Sequence, residues 1–324
     1  MRAILLFGFL LFFASPSLSD DVVRVKGSTI AYRGEILRND ERGVTMKLAP
    51  RGELKEFARE QIERIDTRYP AAMDAGRTAL SKGDFADAVP NLRSALREET
   101  RPWAQDQIKG LLLKALDGQG DVEGAADVFV ELAPNRSDAG IMAYAPFRWV
   151  KEAAPADHRR AAARAWLLHN EEPVVRLLAA NWLLETDAAQ AKSALERLAT
   201  DPDSRVRPIA RAMLLRERLL KNAKSISKDD LAEFRSEVEK LPNAVRVGPQ
   251  YVLALAYEAN GDPIDAALAF LYVPFVTGGP PDVQADALDR ASKACLKAGL
   301  KNDAAKLDAE LRKRFPSAKR PASK

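Results

Sequence analysis

The stretch Gly76-x6-Gly83-Asp84-Phe85-x2-Ala88-x3-Leu92-x2-Ala95-Leu96 decides the fold of this chain. Its small residues, Gly76, Ala88 and Ala95, stand where two antiparallel helices would touch, and Leu92 stands where the pair would meet its neighbour. A side chain larger than a methyl group at a small position would push the paired helices apart, at a cost of about 1–3 kcal/mol. The stretch therefore predicts a hairpin of two packed helices.

Weaker copies of this pattern recur along the chain. They are Gly120-Asp121-Val122-x2-Ala125-x3-Phe129, Gly261-Asp262-Pro263-x2-Ala266-x3-Phe270, and the region near Gly299-x4-Ala304. A recurring helical unit is typical of repeat proteins, in which each hairpin buries its apolar face against the next one. The sequence therefore predicts a mostly α-helical chain built from stacked hairpins.

The hairpin pattern resembles the tetratricopeptide repeat. Gly76, Ala88 and Ala95 match that family's three small positions, and Leu92 matches its large apolar position. Ala72 departs from the family, which usually has tryptophan there. On this resemblance the residues assigned to repeat packing are Gly76, Gly83, Ala88, Leu92, Ala95, Gly120, Ala125, Phe129, Ala254, Tyr257, Gly261, Ala266 and Phe270.

The resemblance implies an α-solenoid that binds a protein or peptide in a concave groove and does not catalyse a reaction. The first helix of each hairpin would line that groove, so Arg77 and Lys109 are contact candidates by position. The alternative is a structural component of an envelope assembly, docked through the N-terminal part of the chain.

The middle of the chain has a different rhythm. Glu172-Pro173-Val174-Val175-Arg176 and Ser204-Arg205-Val206-Arg207 share a Val-Arg core and resemble HEAT-type repeats. In that family the arginine tends to pair with an acidic residue of the neighbouring repeat. We therefore interpret Arg176 and Arg207 as structural links, because a buried charge needs a partner.

The N-terminal part alternates apolar and polar residues with a period of two, which predicts β-strands. Four or five short strands between Val22 and Asp66 would make a small barrel, similar to the SH3-like or Sm-like barrels that precede helical repeats in some exported bacterial proteins. Gly34 falls inside a predicted strand and suggests a bend or bulge there.

The first residues have the layout of a secretory signal peptide: Arg2, an apolar run over Ala3–Ala14, and small residues up to Ser19. We expect cleavage after Ser19 and a periplasmic or secreted chain without stable membrane insertion. A retained anchor is the competing interpretation, but spanning a bilayer takes roughly 20 apolar residues. The predicted divisions are a signal peptide at 1–19, a barrel at 20–66, tetratricopeptide-like hairpins at 67–138, HEAT-like repeats at 139–222, tetratricopeptide-like hairpins at 223–316 and a basic tail at 317–324.

Composition and motifs argue against catalysis, cofactors, metals and nucleic acid. Lys and Arg number 50 against 46 Asp and Glu, and no basic stripe with interleaved aromatics occurs. His158 and His169 would lie roughly 16 Å apart on one helix, too far to share a metal. Cys295, the single cysteine, is expected to pack as a small apolar residue.

Three aromatic residues cluster in Tyr144-Ala145-Pro146-Phe147-Arg148-Trp149, where one repeat rhythm gives way to the other. Two interpretations remain open. Exposed, Tyr144, Phe147 and Trp149 would form an anchor pocket for a partner. Buried, they would form a hydrophobic plug between two subarrays, as large apolar residues usually do.

Overall fold

A computed structural model of the chain describes residues 21–135, 139–150, 156–222 and 226–316. The predicted signal peptide and the predicted basic tail lie outside the described residues. The chain divides into two units. Unit 1 runs to Pro70 and also contains Arg101–Ala104, and unit 2 contains Ala71–Thr100 and the residues from Gln105 onward.

Unit 1 is an antiparallel sheet with the strand order β4-β3-β2-β1-β5. A 3₁₀ turn at Arg59–Gln61 separates β4 from β5, which returns to pair with β1. The strands are β1 (Asp21–Val25), β2 (Ala31–Asp40), β3 (Gly43–Leu48), β4 (Leu54–Ala58) and β5 (Ile62–Asp66). Their alternation buries one face, whose core residues are Val23, Ile36, Val44, Met46, Phe57, Ile62, Trp103 and Ala104.

The irregularity in β2 lies away from Gly34. The register between β2 and β3 shifts between Ile36 and Arg38, so the expected bulge at Gly34 was wrong in position. At Gly34 the neighbouring strand passes so close that an added Cβ would lie 2.0 Å from the carbonyl oxygen of Lys47. The glycine therefore permits a close backbone approach.

The segment Arg101–Ala104 completes the core of unit 1. Trp103 Nε1 donates to the Ile36 carbonyl oxygen at 2.8 Å. The Arg101 guanidinium lies 3.3 Å from the buried carboxylate of Asp21. Because these partners are far apart in sequence, no local pattern indicated them.

Unit 2 is helical, and the expected fold class, mostly α with an N-terminal antiparallel sheet, is confirmed. In the described residues the α-helices are α1 (Ala71–Ser81), α2 (Phe85–Glu98), α3 (Pro102–Gln119), α4 (Val122–Leu132), α5 (Asp157–His169), α6 (Pro173–Leu183), α7 (Ala188–Leu198), α8 (Arg207–Lys221), α9 (Lys228–Glu239), α10 (Asn243–Asn260), α11 (Pro263–Tyr272), α12 (Pro281–Lys297) and α13 (Lys301–Arg314). A 3₁₀ segment spans Ala139–Tyr144, and a π-helical turn spans Val273–Thr277. Short turns join most helices, so consecutive helices pack against each other.

The first hairpin shows why small residues are needed where helices meet. A Cβ built on Gly76 of α1 would lie 2.7 Å from the Leu92 side chain of α2. Leu92 is fully buried, as are Ala88 and Ala95 on the same helix. Close contact at Gly76 lets Leu92 fill the space between α1 and α2.

The same local chemistry turns the chain at two successive hairpins. Gly83 and Gly120 have φ values of +74° and +77°, which favour glycine. The next residue, Asp84 or Asp121, accepts a hydrogen bond from the backbone N–H three residues on, at 3.2 and 2.9 Å. Each aspartate thereby caps the second helix of its hairpin.

The remaining residues assigned to repeat packing are buried in helices or lie at a helix end. Ala125, Phe129, Ala254, Ala266 and Phe270 are buried in the helices of unit 2, and Gly261 caps α10. Tyr257 is 9 % exposed. Ser227 is the N-cap of α9, because the side chains of Ser227 and Asp230 each accept a hydrogen bond from the other residue's backbone N–H.

Candidate binding cavity

One face of α3 carries the centre of the candidate site. Gln107, Gly110, Leu111 and Lys114 follow a spacing of three, one and three residues. On a helix with 3.6 residues per turn this spacing brings all four to one side. The sequence offered this periodic face, but nothing local showed which other elements would enclose it.

This face of α3 forms one wall of an open cavity of about 590 Å³, within the roughly 300–1,000 Å³ typical of ligand pockets. The other walls come from α1, the 3₁₀ segment Ala139–Tyr144, the start of α10 and the end of the π-helical turn. Their polar contributions are Arg77, Tyr144, Asn243 and Thr277. We call this space the α3 cavity.

The α3 cavity is positively charged. Arg77 and Lys114 line it, and no Asp or Glu is among its described lining residues. The Lys114 ammonium lies 5.1 Å from the centre of the Tyr144 ring, a cation–π arrangement that leaves the positive charge in place. Arg77 has an exposed neighbour in Asp74, at 3.9 Å, and such surface pairs contribute little.

Gly110 leaves space in the α3 cavity because it has no side chain. A Cβ added to it would meet nothing within 4 Å, so packing within the described residues does not require a glycine. A glycine inside a helix costs about 0.5–1 kcal/mol relative to alanine. The chain therefore has a bare stretch of helix backbone facing the cavity.

Lys109 is placed differently from Arg77. Its ammonium lies 3.1 Å from the Glu131 carboxylate of α4, and Lys109 does not belong to the described lining of the α3 cavity. One residue along an α-helix is a rotation of about 100°, which turns Lys109 away from the face of Gly110. Lys109 thus forms an ion pair between helices α3 and α4, and its contact with a partner stays a prediction.

Phe147 and Trp149 are buried, because only 5 % and 3 % of their surfaces are accessible. Of the two interpretations of the aromatic cluster, the exposed anchor pocket is therefore wrong for these two residues. Their rings meet edge to face with centroids 6.0 Å apart. A Cβ on Gly248 of α10 would lie 1.9 Å from the Trp149 ring, so the absence of a side chain there makes room for the indole. Tyr144 alone of the three lines the α3 cavity.

Side chains of α6 and α8 hold the backbone of residues 146–149. The Asn181 amide accepts from Arg148 N at 2.6 Å and donates to Arg148 O at 3.3 Å. Trp182 Nε1 donates to the Pro146 carbonyl oxygen at 2.9 Å. Arg216 Nε donates to the Trp149 carbonyl oxygen at 2.7 Å. These bonds satisfy the polar groups of a buried segment that belongs to no helix.

Arg205, in the turn before α8, forms ion pairs with two acidic residues. Its guanidinium lies 3.4 Å from the Glu172 carboxylate and 2.7 Å from that of Asp203. Arg207 is exposed because α8 begins there and Val206 takes the buried position. The links expected at Arg176 and Arg207 are therefore corrected: Arg176 Nε is buried without a hydrogen-bond partner among the described residues, and the pairing with Glu172 is made by Arg205.

Asp117, one turn beyond Lys114 on α3, is an unusual carboxyl group. Burial, and secondarily the negative charge of Asp282 on α12, raise its pKa to about 7. Both effects disfavour the ionised form. Asp117 is outside the described lining of the α3 cavity. We therefore expect its protonation to affect the stability of the fold.

A second, smaller cavity of about 260 Å³ lies among α9, α10 and α11; we call it the α10 cavity. It contains two arginines and also two acids, Glu239 and Asp265. Arg235 Nε lies 2.8 Å from Glu239. Arg246 donates to the Tyr272 hydroxyl at 2.7 Å and to the Leu241 carbonyl oxygen at 2.6 Å.

The side chains that could have supported a metal site or catalysis include His158, His169 and Cys295. Within the described ranges no set of three or more His, Cys, Asp and Glu residues is arranged to hold a metal ion. His158 and His169 lie at opposite ends of α5. Burial raises the pKa of the Cys295 thiol. No helix in the described residues is both long and apolar enough to cross a membrane.

Comparisons with known proteins add little to this geometry. No family model and no curated protein matches the chain. Among solved structures, the chain is similar to a tetratricopeptide repeat protein from Parabacteroides merdae, with 15 % identity, coverage of 75 % of this chain and 92 % of that one, and a TM-score of 0.39. A likeness at this level places the chain in no family.

Proposed function

We propose that the chain is a non-catalytic scaffold that binds a peptide segment of another protein in the α3 cavity. The observation that carries this proposal is the open space of about 590 Å³ enclosed by α1, α3, the 3₁₀ segment and α10. Its lining combines apolar side chains such as Leu111 and Ile141 with a few polar groups. This mixture is typical of sites that bind and orient a ligand.

Photo-crosslinking in the native cell tests this function. A photoreactive phenylalanine analogue replaces Leu111 in the cavity or, as control, the exposed Leu220 of α8. We expect a protein partner to crosslink at position 111 only, and to be lost when Gly110→Trp fills the cavity. The same adducts at both positions, or adducts at 111 that survive Gly110→Trp, would contradict the proposal.

We also propose that this scaffold works outside the cytoplasm, in the periplasm or as a secreted protein. The support is the sequence from Met1 to Ser19, with its basic residue, apolar run and small residues. N-terminal sequencing of the protein from its native cell is expected to begin at Asp20. A cytoplasmic chain that begins at Met1 would contradict the proposed export.

Two finer structural assignments belong to the same proposal. Unit 1 would be a small SH3-like or Sm-like barrel, supported by the return of β5 to pair with β1. Helices α5 to α8 would be HEAT-like repeats, supported by the pairing of Arg205 with Glu172 across two helices. Backbone NMR contacts between β4 and β5, which lie at the sheet edges, would test closure of the barrel.

The alternative function, docking into an envelope assembly through unit 1, has one observation in its favour. Three aliphatic side chains of this small unit, Ile30, Leu37 and Leu54, are exposed, and exposed apolar surface can mark an interaction site. Leu54→Glu separates the alternatives. Docking through unit 1 predicts that the variant leaves the envelope fraction, whereas peptide capture in the α3 cavity predicts unchanged fractionation.

A further inference from the structure

The charge of the α3 cavity differs from that of the whole chain. The chain is near balance, with 50 Lys and Arg against 46 Asp and Glu. The described lining of the cavity holds two cations and no acid. Since charges in a partly enclosed space are less screened than those on an open surface, the cavity attracts a negatively charged ligand.

Lys114 is also held in a defined setting. Lys114 stands over the Tyr144 ring and, among the described residues, forms no ion pair. Asn243 adds an amide group that can donate hydrogen bonds to a carboxylate. A ligand carboxylate would therefore meet a cation together with neutral donors, which makes charge-assisted hydrogen bonds available.

The apolar part of the α3 cavity lining, which we call its floor, includes Leu111, Leu113 and Ile141. Gly110 adds helix backbone without a side chain. A small inorganic anion would leave this apolar area unused. An extended peptide could place an acidic side chain at the cations and an apolar side chain on the floor, with its backbone close to Gly110.

We infer that the α3 cavity selects acidic peptide segments, in which Asp or Glu is followed closely by an apolar residue. Lys114 and Arg77 bind the carboxylate, and Leu111 and Ile141 contact the apolar side chain. This inference rests on the proposed function, because it names the ligand class of the same cavity.

The test is a selection of random octapeptides, displayed on phage, against the mature chain and its variants. We expect Asp or Glu to be enriched at least about twofold in the selected peptides, and their affinity to fall about tenfold or more in Lys114→Glu. Lys114→Arg keeps the charge and is expected to keep most of the affinity. Because these interactions are electrostatic, affinity should also fall as NaCl rises from 50 to 500 mM.

The outcomes separate the inference from the function on which it rests. Neutral or basic peptides that still depend on the cavity, shown by loss in Gly110→Trp, would overturn the acidic preference and leave the proposed function standing. Peptides unaffected by Gly110→Trp, or no selected peptide, would contradict both. Inorganic phosphate that binds without any acidic peptide binding would assign the cavity to a free anion and overturn the inference.

Discussion

The α3 and α10 cavities contain similar residues in opposite circumstances. Each has two cationic side chains and at least one tyrosine. In the α10 cavity the cations are engaged, Arg235 by Glu239 and Arg246 by the Tyr272 hydroxyl and backbone carbonyl oxygens. In the α3 cavity Lys114 lies over the face of the Tyr144 ring and forms no ion pair within the part of the chain that the structure describes. A cation therefore serves structure at Arg246, whereas the charge of Lys114 faces the α3 cavity.

Helix α10 borders both cavities, which makes the comparison testable on one scaffold. Its first residues, Asn243 and Ala244, line the α3 cavity, and Arg246 and Gln250 line the α10 cavity. Substitutions in the α10 cavity should change stability, because the side chains there satisfy one another. Substitution of Lys114 in the α3 cavity should change binding and leave stability nearly unaltered.

The largest expected effect concerns Asp117 and depends on pH. Its folded-state pKa of about 7 exceeds the ordinary 3.8, so between those pH values the folded chain keeps a proton that the unfolded chain has lost. The free energy of unfolding therefore falls as pH rises from about 4 to about 7, by up to about 4 kcal/mol.

Asp117→Asn is expected to remove this dependence and to be the more stable protein at pH 8, with a much smaller difference near pH 4. Urea unfolding at the two pH values measures it. Glu196→Gln, at an exposed ion pair on α7, is the matched control. Its free energy of unfolding should depend on pH as that of the natural chain does. A profile for Asp117→Asn parallel to that of the natural chain would disprove the assignment.

Gly248→Ala should cost about 3 kcal/mol of stability, because the new methyl would overlap the Trp149 ring, 1.9 Å away. A second variant, Gly248→Ala with Trp149→Leu, makes room for the methyl and should recover part of the loss beyond what the single changes add up to. Thermal unfolding checks both. Additive losses would show that the glycine does not serve the indole.

Arg246→Ala should lower the free energy of unfolding by about 2–3 kcal/mol, because its charge-assisted hydrogen bonds are lost and their acceptors left unpaired. Lys114→Ala should change it by no more than about 0.5 kcal/mol, as expected for an exposed side chain. Denaturant unfolding of the two variants compares the cavities directly. Equal losses would remove the distinction between them.

Gly110→Ala should raise the free energy of unfolding by about 0.5–1 kcal/mol, because alanine favours the helix and the methyl enters open space. The same measurement on Gly76→Ala, where a Cβ would meet Leu92 at 2.7 Å, should show a loss. A loss at Gly110 as well would mean that packing, and not an open floor, requires that glycine.

The sequence predicted best what local sterics determine. The hairpin at Gly76 and Leu92 follows from side-chain size and helical period, and the strands of unit 1 follow from alternation with a period of two. Such features need only residues a few positions apart, or on the neighbouring helix, which a repeat pattern reports.

The rest depended on contacts between distant parts of the chain. Trp103 completes a core whose strand residues lie 41 to 80 positions earlier in the chain. Burial of Phe147 and Trp149 was one of two interpretations left open by the sequence, and no periodicity indicated that Trp149 would pack against Gly248. The α3 cavity joins Arg77 to Asn243 and Thr277, and no pattern in α3 alone indicates those partners.

Fluorescence anisotropy of a labelled acidic octapeptide from the selection tests the central claim most directly. Lys114→Glu in the α3 cavity is compared with Arg235→Glu in the α10 cavity, each reversing one charge. Our account predicts about tenfold or greater weakening for the first variant and less than about twofold for the second. Equal weakening, or weakening by Arg235→Glu alone, would contradict it.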